Sequence, residues 1–205
     1  MSFVAFLFAA VVLAITPGPG IAYVVARTVA GGRAEGLASC LGTGIGGLLH
    51  VLAAALGLSL LIAQSAWAFN LIKYLGAAYL VYLGIRLLLR KSTALSAAPL
   101  AAQGPRRALL EGIVVEALNV KTALFFLAFL PHFVVPGQPM APQLALLGSI
   151  CVALNTLVDV IAVFAADRLL QSSTARTARA QLLTRVSGGT MLALGAYLAL
   201  ARREV

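Results

Sequence analysis

The sequence predicts an all-α polytopic membrane protein with six transmembrane helices, arranged as two inverted three-helix repeats with a broken first helix. Three observations carry this. The 205-residue chain is 61% hydrophobic and 10% charged, with a mean hydropathy of +1.01, too apolar for a domain that must show water a polar face. Charge-free stretches run over 1–26, 36–72 and 122–158, and a spanning helix needs only about 20 apolar residues. Within the first stretch, Thr16-Pro17-Gly18-Pro19-Gly20 interrupts the apolar run.

Taken in order, the first span is Phe3–Ala26. It has no basic leader and its apolar part is too long for a signal peptide, so it is expected to be retained. Its two prolines remove two N–H donors and strip partners from carbonyls one turn back. Its two glycines remove the side chains that would keep a ligand off the main chain. Irregular backbone at membrane depth is tolerated only where protein packs it or a cavity faces it, and in transporters such breaks mark binding sites.

The second span, Leu37–Gln64, follows a first loop holding Arg27 and Arg33. Its small residues recur at four-residue spacing, as in Gly36-xxx-Cys40 and Gly42-xxx-Gly46, the pattern of close helix–helix approach in lipid. The partner expected for them is the broken first helix. Gly76, Gly84 and Gly195 read the same way. The third span is Asn70–Leu89, with Trp67, Phe69 and Tyr74 fitting an interfacial aromatic belt. The segment 91–107, rich in Ser, Ala, Pro and Gln, then divides a single domain of 1–205 into halves of about 1–90 and 108–205. The second half holds spans Ala108–Val135, Gln143–Asp167 and Leu182–Ala201. Three spans per half require opposite orientations of the halves.

A net charge of +9 raises nucleic acid as a partner, but its distribution argues against that. Basic residues gather in loops one, three and five, which the positive-inside rule makes cytoplasmic. Both termini are then outside, against the grain of Arg202-Arg203. No phosphate loop, nucleophile triad or dinucleotide fingerprint occurs, and two isolated histidines do not make a metal site. The reading is of a non-enzyme without metal or cofactor, bounded by membrane lipids.

On this topology, polar groups from four helices share one depth. Thr16–Gly20, His50, Glu116, Asn119, Lys121, Asn155 and Asp159 all fall near the middle or inner half of the bilayer. Charges at depth mark pathways or paired partners. Lys121 stands about 140° around the helix from Glu116 by ideal geometry, so it is expected to pair with Asp159, leaving Glu116 either to bind a cation or carry a proton, or to sit wet beside Arg106 or Arg107 at the inner boundary. His50 is a candidate proton-responsive group set against an ordinary packing role. Glu111 and Asp167 are interfacial.

These residues carry a resemblance. Thr16-Pro-Gly-Pro-Gly20, Gly31-Gly-Arg33 with Gly36, and Gly42, Gly46 and His50 leading to 55–59 form its first half, with 72–80 and Gly84. Leu118-Asn-Val-Lys121 and 123–131 carry it through the second. The chain resembles the LysE/RhtB family of bacterial amino-acid exporters along nearly its whole length. The resemblance implies a bacterial inner-membrane protein that exports an amino acid or close derivative, driven by protons, and self-associates, for example as a homodimer. The family usually has Pro where this chain has Val120, which implies a continuous fourth helix here, and commonly has Gln at His132.

Joined to the residue reading, this gives a secondary-active proton antiporter. A zwitterion needs a cationic and an anionic partner in one dry place. Thr16, Pro17, Gly18, Pro19, Gly20, Asn119, Lys121 and Asn155 are the expected substrate-binding residues, and Glu116, Asp159 and His50 the proton-coupling ones. The N-terminal end of the half-helix after Gly20 would take the carboxylate. Phe125, Phe126, Tyr23 and Tyr79 are candidates for side-chain selectivity that could as easily face lipid. Two rivals come from other classes: a membrane thiol–disulfide electron carrier using Cys40 and Cys151, and a passive small-solute channel.

Overall fold

A computed structural model of the protein describes residues 3–58 and 101–170, with isolated helical positions at 67, 71, 74, 75, 78, 81, 82 and 85. The expectations for most of the third span, for the sixth span, for Phe69, Tyr79, Gly76, Gly84 and Gly195, and for most of the segment 91–107 lie outside these residues. Every regular element among the described residues is helical: α1 (Phe3–Ile15), α2 (Pro19–Ala53), α3 (Pro105–Ala117), α4 (Val120–Leu124) and α5 (Met140–Leu170).

The helical stretch Pro19–Gly57 is 39 residues long, nearly twice the roughly 20 residues a bilayer crossing requires. It is a hairpin. Gly32 adopts φ 74°, ψ −168°, a conformation closed to side-chain-bearing residues, and turns the chain back on itself. Val24 packs with Cys40 in one apolar cluster, and a β-carbon on Gly36 would collide with Thr28. The arms 19–31 and 33–53 are therefore antiparallel. The expected first loop shrinks to one glycine.

The glycines of the second arm do not all serve the partner expected for them. Gly36 meets Thr28 of the first arm, but Gly42 lies against the Leu109 carbonyl and Gly46 within 2.6 Å of the Ile113 carbonyl, measured from an added β-carbon. Gly44 and Gly47 face Thr156 and Val152. The second arm is wedged between α3 and α5, and its small residues fit it to both.

The expected continuity of the fourth helix also fails. α3 and the stretch Val120–Phe133 meet at 42°. Asn119 takes an extended conformation, φ −74° and ψ 99°, and its side-chain oxygen accepts from the Lys121 backbone N–H at 3.1 Å. An asparagine cap starts the new helix without a proline. Val120 occupies the first helical position, where a proline's missing N–H costs nothing, and the residue before it is already extended as proline requires. Val120→Pro is therefore expected to leave both membrane assembly and transport near the parent level, measured by detergent-stable yield and vesicle transport.

Beyond the breaks, α1, the end of α2, residues 125–133 and the start of α5 bury a common apolar cluster around Phe6, Phe125, Phe129 and Leu144. Phe125 stacks on Phe129 with ring centroids 5.1 Å apart. Phe125 and Phe126 are buried core residues and do not face lipid.

Candidate functional site

The site is built where two helix breaks meet. At Pro17 the chain lacks the N–H that would bond the Leu13 carbonyl one turn earlier. Thr16 folds its hydroxyl back onto the Val12 carbonyl at 2.6 Å. The carbonyls of Leu13 and Thr16 thus lose helical partners, and a side chain from the other break supplies donors. Lys121 Nζ donates to the Leu13 carbonyl at 3.1 Å and the Thr16 carbonyl at 2.9 Å. A cation at a helix C-terminus is also favoured by the backbone dipoles. Gly18 makes room for it, since a β-carbon there would lie 3.0 Å from Nζ.

The expected Lys121–Asp159 ion pair is absent: among the described residues, no ion pair includes Lys121. The proline break presents the ammonium with two unpaired carbonyls on a neighbouring segment, and those take it.

Glu116, 6% exposed, sits on the last turn of α3. Its Oε2 accepts from Asn119 Nδ2 at 3.0 Å and its Oε1 from the Thr122 hydroxyl at 2.6 Å. It stands away from Arg107, which pairs with Glu111. Gly20 is what lets the first break approach it, because a β-carbon on Gly20 would come within 2.6 Å of Oε2. Each glycine of the opening motif thus answers one charged group: Gly18 faces Lys121 and Gly20 faces Glu116.

His50 lies behind this wall, where its Nε2 donates to the Glu116 backbone carbonyl at 2.8 Å. That carbonyl, in the last turn of α3, also accepts from the Asn119 backbone N–H at 3.0 Å, and the histidine adds a second donor. Asp159, 7% exposed, accepts from the Thr43 hydroxyl at 2.9 Å. Gly20, Asn119, Lys121, Asn155, Glu116 and Asp159 all line one cavity. Thr16, Pro17, Gly18 and Pro19 are not among its lining residues. Tyr23 does not line it; its hydroxyl reaches the Ala108 carbonyl at 2.9 Å and Glu111 at 3.2 Å.

Sequence reasoning missed the threonines. Thr43 reads as one of several small packing residues, yet it holds Asp159. Thr122 is six residues from Glu116 in sequence, a spacing that no regular helix brings together, and only the break at Asn119 makes the contact. Ala14, Val152 and Thr156 also line the cavity.

The cavity measures about 30 Å³, which seats a water or two and no amino acid. It is partly open and carries two acids and one lysine, and at this size a wall must move to admit a solute. Among the described residues no cluster of His, Cys, Asp or Glu suited to a metal ion occurs.

The model of the LysE type translocator family matches residues 11–202. The chain belongs to this family. Among similar proteins, a homoserine/homoserine lactone efflux protein of Salmonella typhimurium is 30% identical over 204 residues, covering 97% of this chain and 96% of its own length. An uncharacterized membrane protein of Vibrio cholerae is 34% identical over 155 residues, or 75% of each chain. A leucine efflux protein of Salmonella typhimurium is 29% identical over 130 residues, covering 63% and 61%. No solved structure matches. As a LysE translocator the chain is a membrane protein and not an enzyme, and membership supports amino-acid export.

Proposed function

We infer that this translocator is a secondary-active exporter of a neutral amino acid or close derivative, working by proton antiport across the bacterial inner membrane. The observation that carries this is the meeting of two broken helices on one buried, charged cavity. Broken helices packed against each other at membrane depth are how transporters expose backbone to a solute. The breaks occupy corresponding first helices of the two sequence halves, which supports an inverted repeat of three spans each, within a single domain.

The chemistry follows from the groups available. The N–H groups of Gly20 and Ile21 open the helix after Pro19, where no preceding turn supplies acceptors, and they offer the substrate carboxylate a positive dipole end. Glu116 or Asp159 receives the ammonium group. When the zwitterion leaves outward, the vacated acid takes a proton from outside and releases it inward, so one neutral solute moves out for one proton moving in. Lys121 holds the first break in shape and keeps the excess of acids at one. Asn155 lies on the cavity wall as a neutral hydrogen-bonding group, and His50 positions the end of α3. Loops one, three and five are cytoplasmic on the distribution of basic residues, and self-association into a homodimer accords with the family resemblance.

Proteoliposomes provide the test. With homoserine and leucine as probes, transport against a concentration gradient should require an inwardly directed proton gradient and stop with an uncoupler. Flux that only equilibrates the solute and ignores the uncoupler would establish a passive channel instead. For the thiol–disulfide carrier, the two free cysteines belong to different apolar clusters among the described residues, and neither adjoins a basic residue in sequence that would activate it. The Cys40→Ser/Cys151→Ser double variant is expected to retain most of the parent transport rate in the same assay.

A further inference from the structure

A second buried charge cluster lies two turns from the cavity. Arg27 is 4% exposed and Glu35 2% exposed, and they face each other across the Gly32 turn with Nη1 and Oε2 3.6 Å apart. Glu35 Oε1 accepts from the backbone N–H groups of both Gln103 and Gly104 at 2.7 Å, while Arg27 Nη1 donates to the Ala101 carbonyl at 3.3 Å. Gly104 reaches its position through φ 87°, which turns its N–H inward before Pro105 opens α3. The side chain of Gln103 and Arg107 both bond Glu111, and Arg33 pairs with Asp167 at 2.6 Å, tying α5 to the same turn.

We propose that the Arg27–Glu35 pair and the strap 101–104 that it grips form the cytoplasmic gate of the transport cavity. This rests on the export reading and adds the moving part that reading lacks, since a cavity of about 30 Å³ must widen to load. Burying two charges is costly unless their hydrogen bonding is complete, and here it is not: among the described residues, Arg27 Nε and Glu35 Oε2 have no hydrogen-bond partner. Parting that hydrates both ions recovers part of that desolvation cost, which suits a gate. Ala101 and Ala102 are exposed, so the strap can lift without unpacking a core. Glu35, Ser39 and Thr43 stand at four-residue intervals on one face of the second arm of α2, and Thr43 holds Asp159. Release of Glu35 opens a path along that face from the cytoplasm to the cavity acid.

The test uses the full chain with Cys40 and Cys151 replaced by serine and Ser39→Cys as the reporter. Inside-out and right-side-out membrane vesicles are exposed to a membrane-impermeant maleimide. Glu35→Ala should raise the labelling rate of Ser39→Cys at least about ten-fold in inside-out vesicles and leave it unchanged in right-side-out ones. Gln103→Pro removes one strap donor while leaving both buried charges paired, and should act in the same direction where Glu35→Ala assembles poorly. Unchanged labelling with either substitution, or faster labelling from the outer face alone, would overturn the gate. The readout needs no substrate, so a chain that labels as expected yet fails the proteoliposome assay refutes the export reading and leaves the gate standing.

Discussion

Lys121→Met is expected to lower transport by about 100-fold, equivalent to roughly 3 kcal/mol of lost stabilisation, while the protein still assembles in the membrane. The ammonium donates to the Leu13 and Thr16 carbonyls, and Pro17 has already removed the N–H that would bond Leu13. Methionine keeps the volume of the stem and removes both donors. Each buried acceptor left without a partner costs about 1–3 kcal/mol, and the segment 16–18 relaxes to find others. Gly20 then loses its register against Glu116, and the cavity keeps two acids with no cation. The damage concentrates on the site because α1 remains anchored by Phe6, Val12 and Leu13 in the apolar core. Transport into inside-out vesicles, normalised to protein recovered as a single gel-filtration species, checks this. Parent-level transport by Lys121→Met would refute the role given to the lysine.

That role shows which parts of the site are legible in a sequence. The first break is written in Pro17 and Pro19, because proline removes an N–H wherever it stands in a helix. The same rule names the Leu13 carbonyl as orphaned, four residues back. What it does not name is the donor. Angular bookkeeping on an ideal helix points Lys121 at Asp159, but α4 starts afresh at Asn119, so its angular phase relative to Glu116 is set by the break. The second break carries no proline and is made by an asparagine cap, whose side chain competes with the helical backbone only where the chain is already free to bend. The glycines of α2 announce close approach without saying to what. Arg27 and Glu35 look like charges flanking a loop. They are buried because the loop is a single glycine and the strap 101–104 folds over it, a contact between residues some seventy positions apart that no local periodicity records.

The two glycines that touch Glu116 are expected to fail in opposite ways when given a methyl group. At Gly46 the added β-carbon would lie 2.6 Å from the Ile113 carbonyl and 3.0 Å from the Ala117 backbone nitrogen. Both belong to α3, so the only relief is to move one helix away from the other along their shared interface. Overpacking of this kind costs roughly 1–3 kcal/mol, with backbone obstacles toward the upper end, and Gly46→Ala should reduce the amount of folded protein and its thermal midpoint. At Gly20 the near atom is Glu116 Oε2, 2.6 Å away, the mobile end of a side chain. There the carboxylate swings aside, the backbone stays, and the bonds from Asn119 and Thr122 are broken or bent. Gly20→Ala should therefore keep a thermal midpoint near the parent's and lose transport by about ten-fold or more, at 1.36 kcal/mol per factor of ten. Scanning fluorimetry on the purified variants beside vesicle transport separates the two. If Gly20→Ala melts early while Gly46→Ala stays folded and inactive, the assignment of one glycine to the site and the other to the helix interface is reversed, because the same methyl group would then be displacing backbone where only a carboxylate stands in its way.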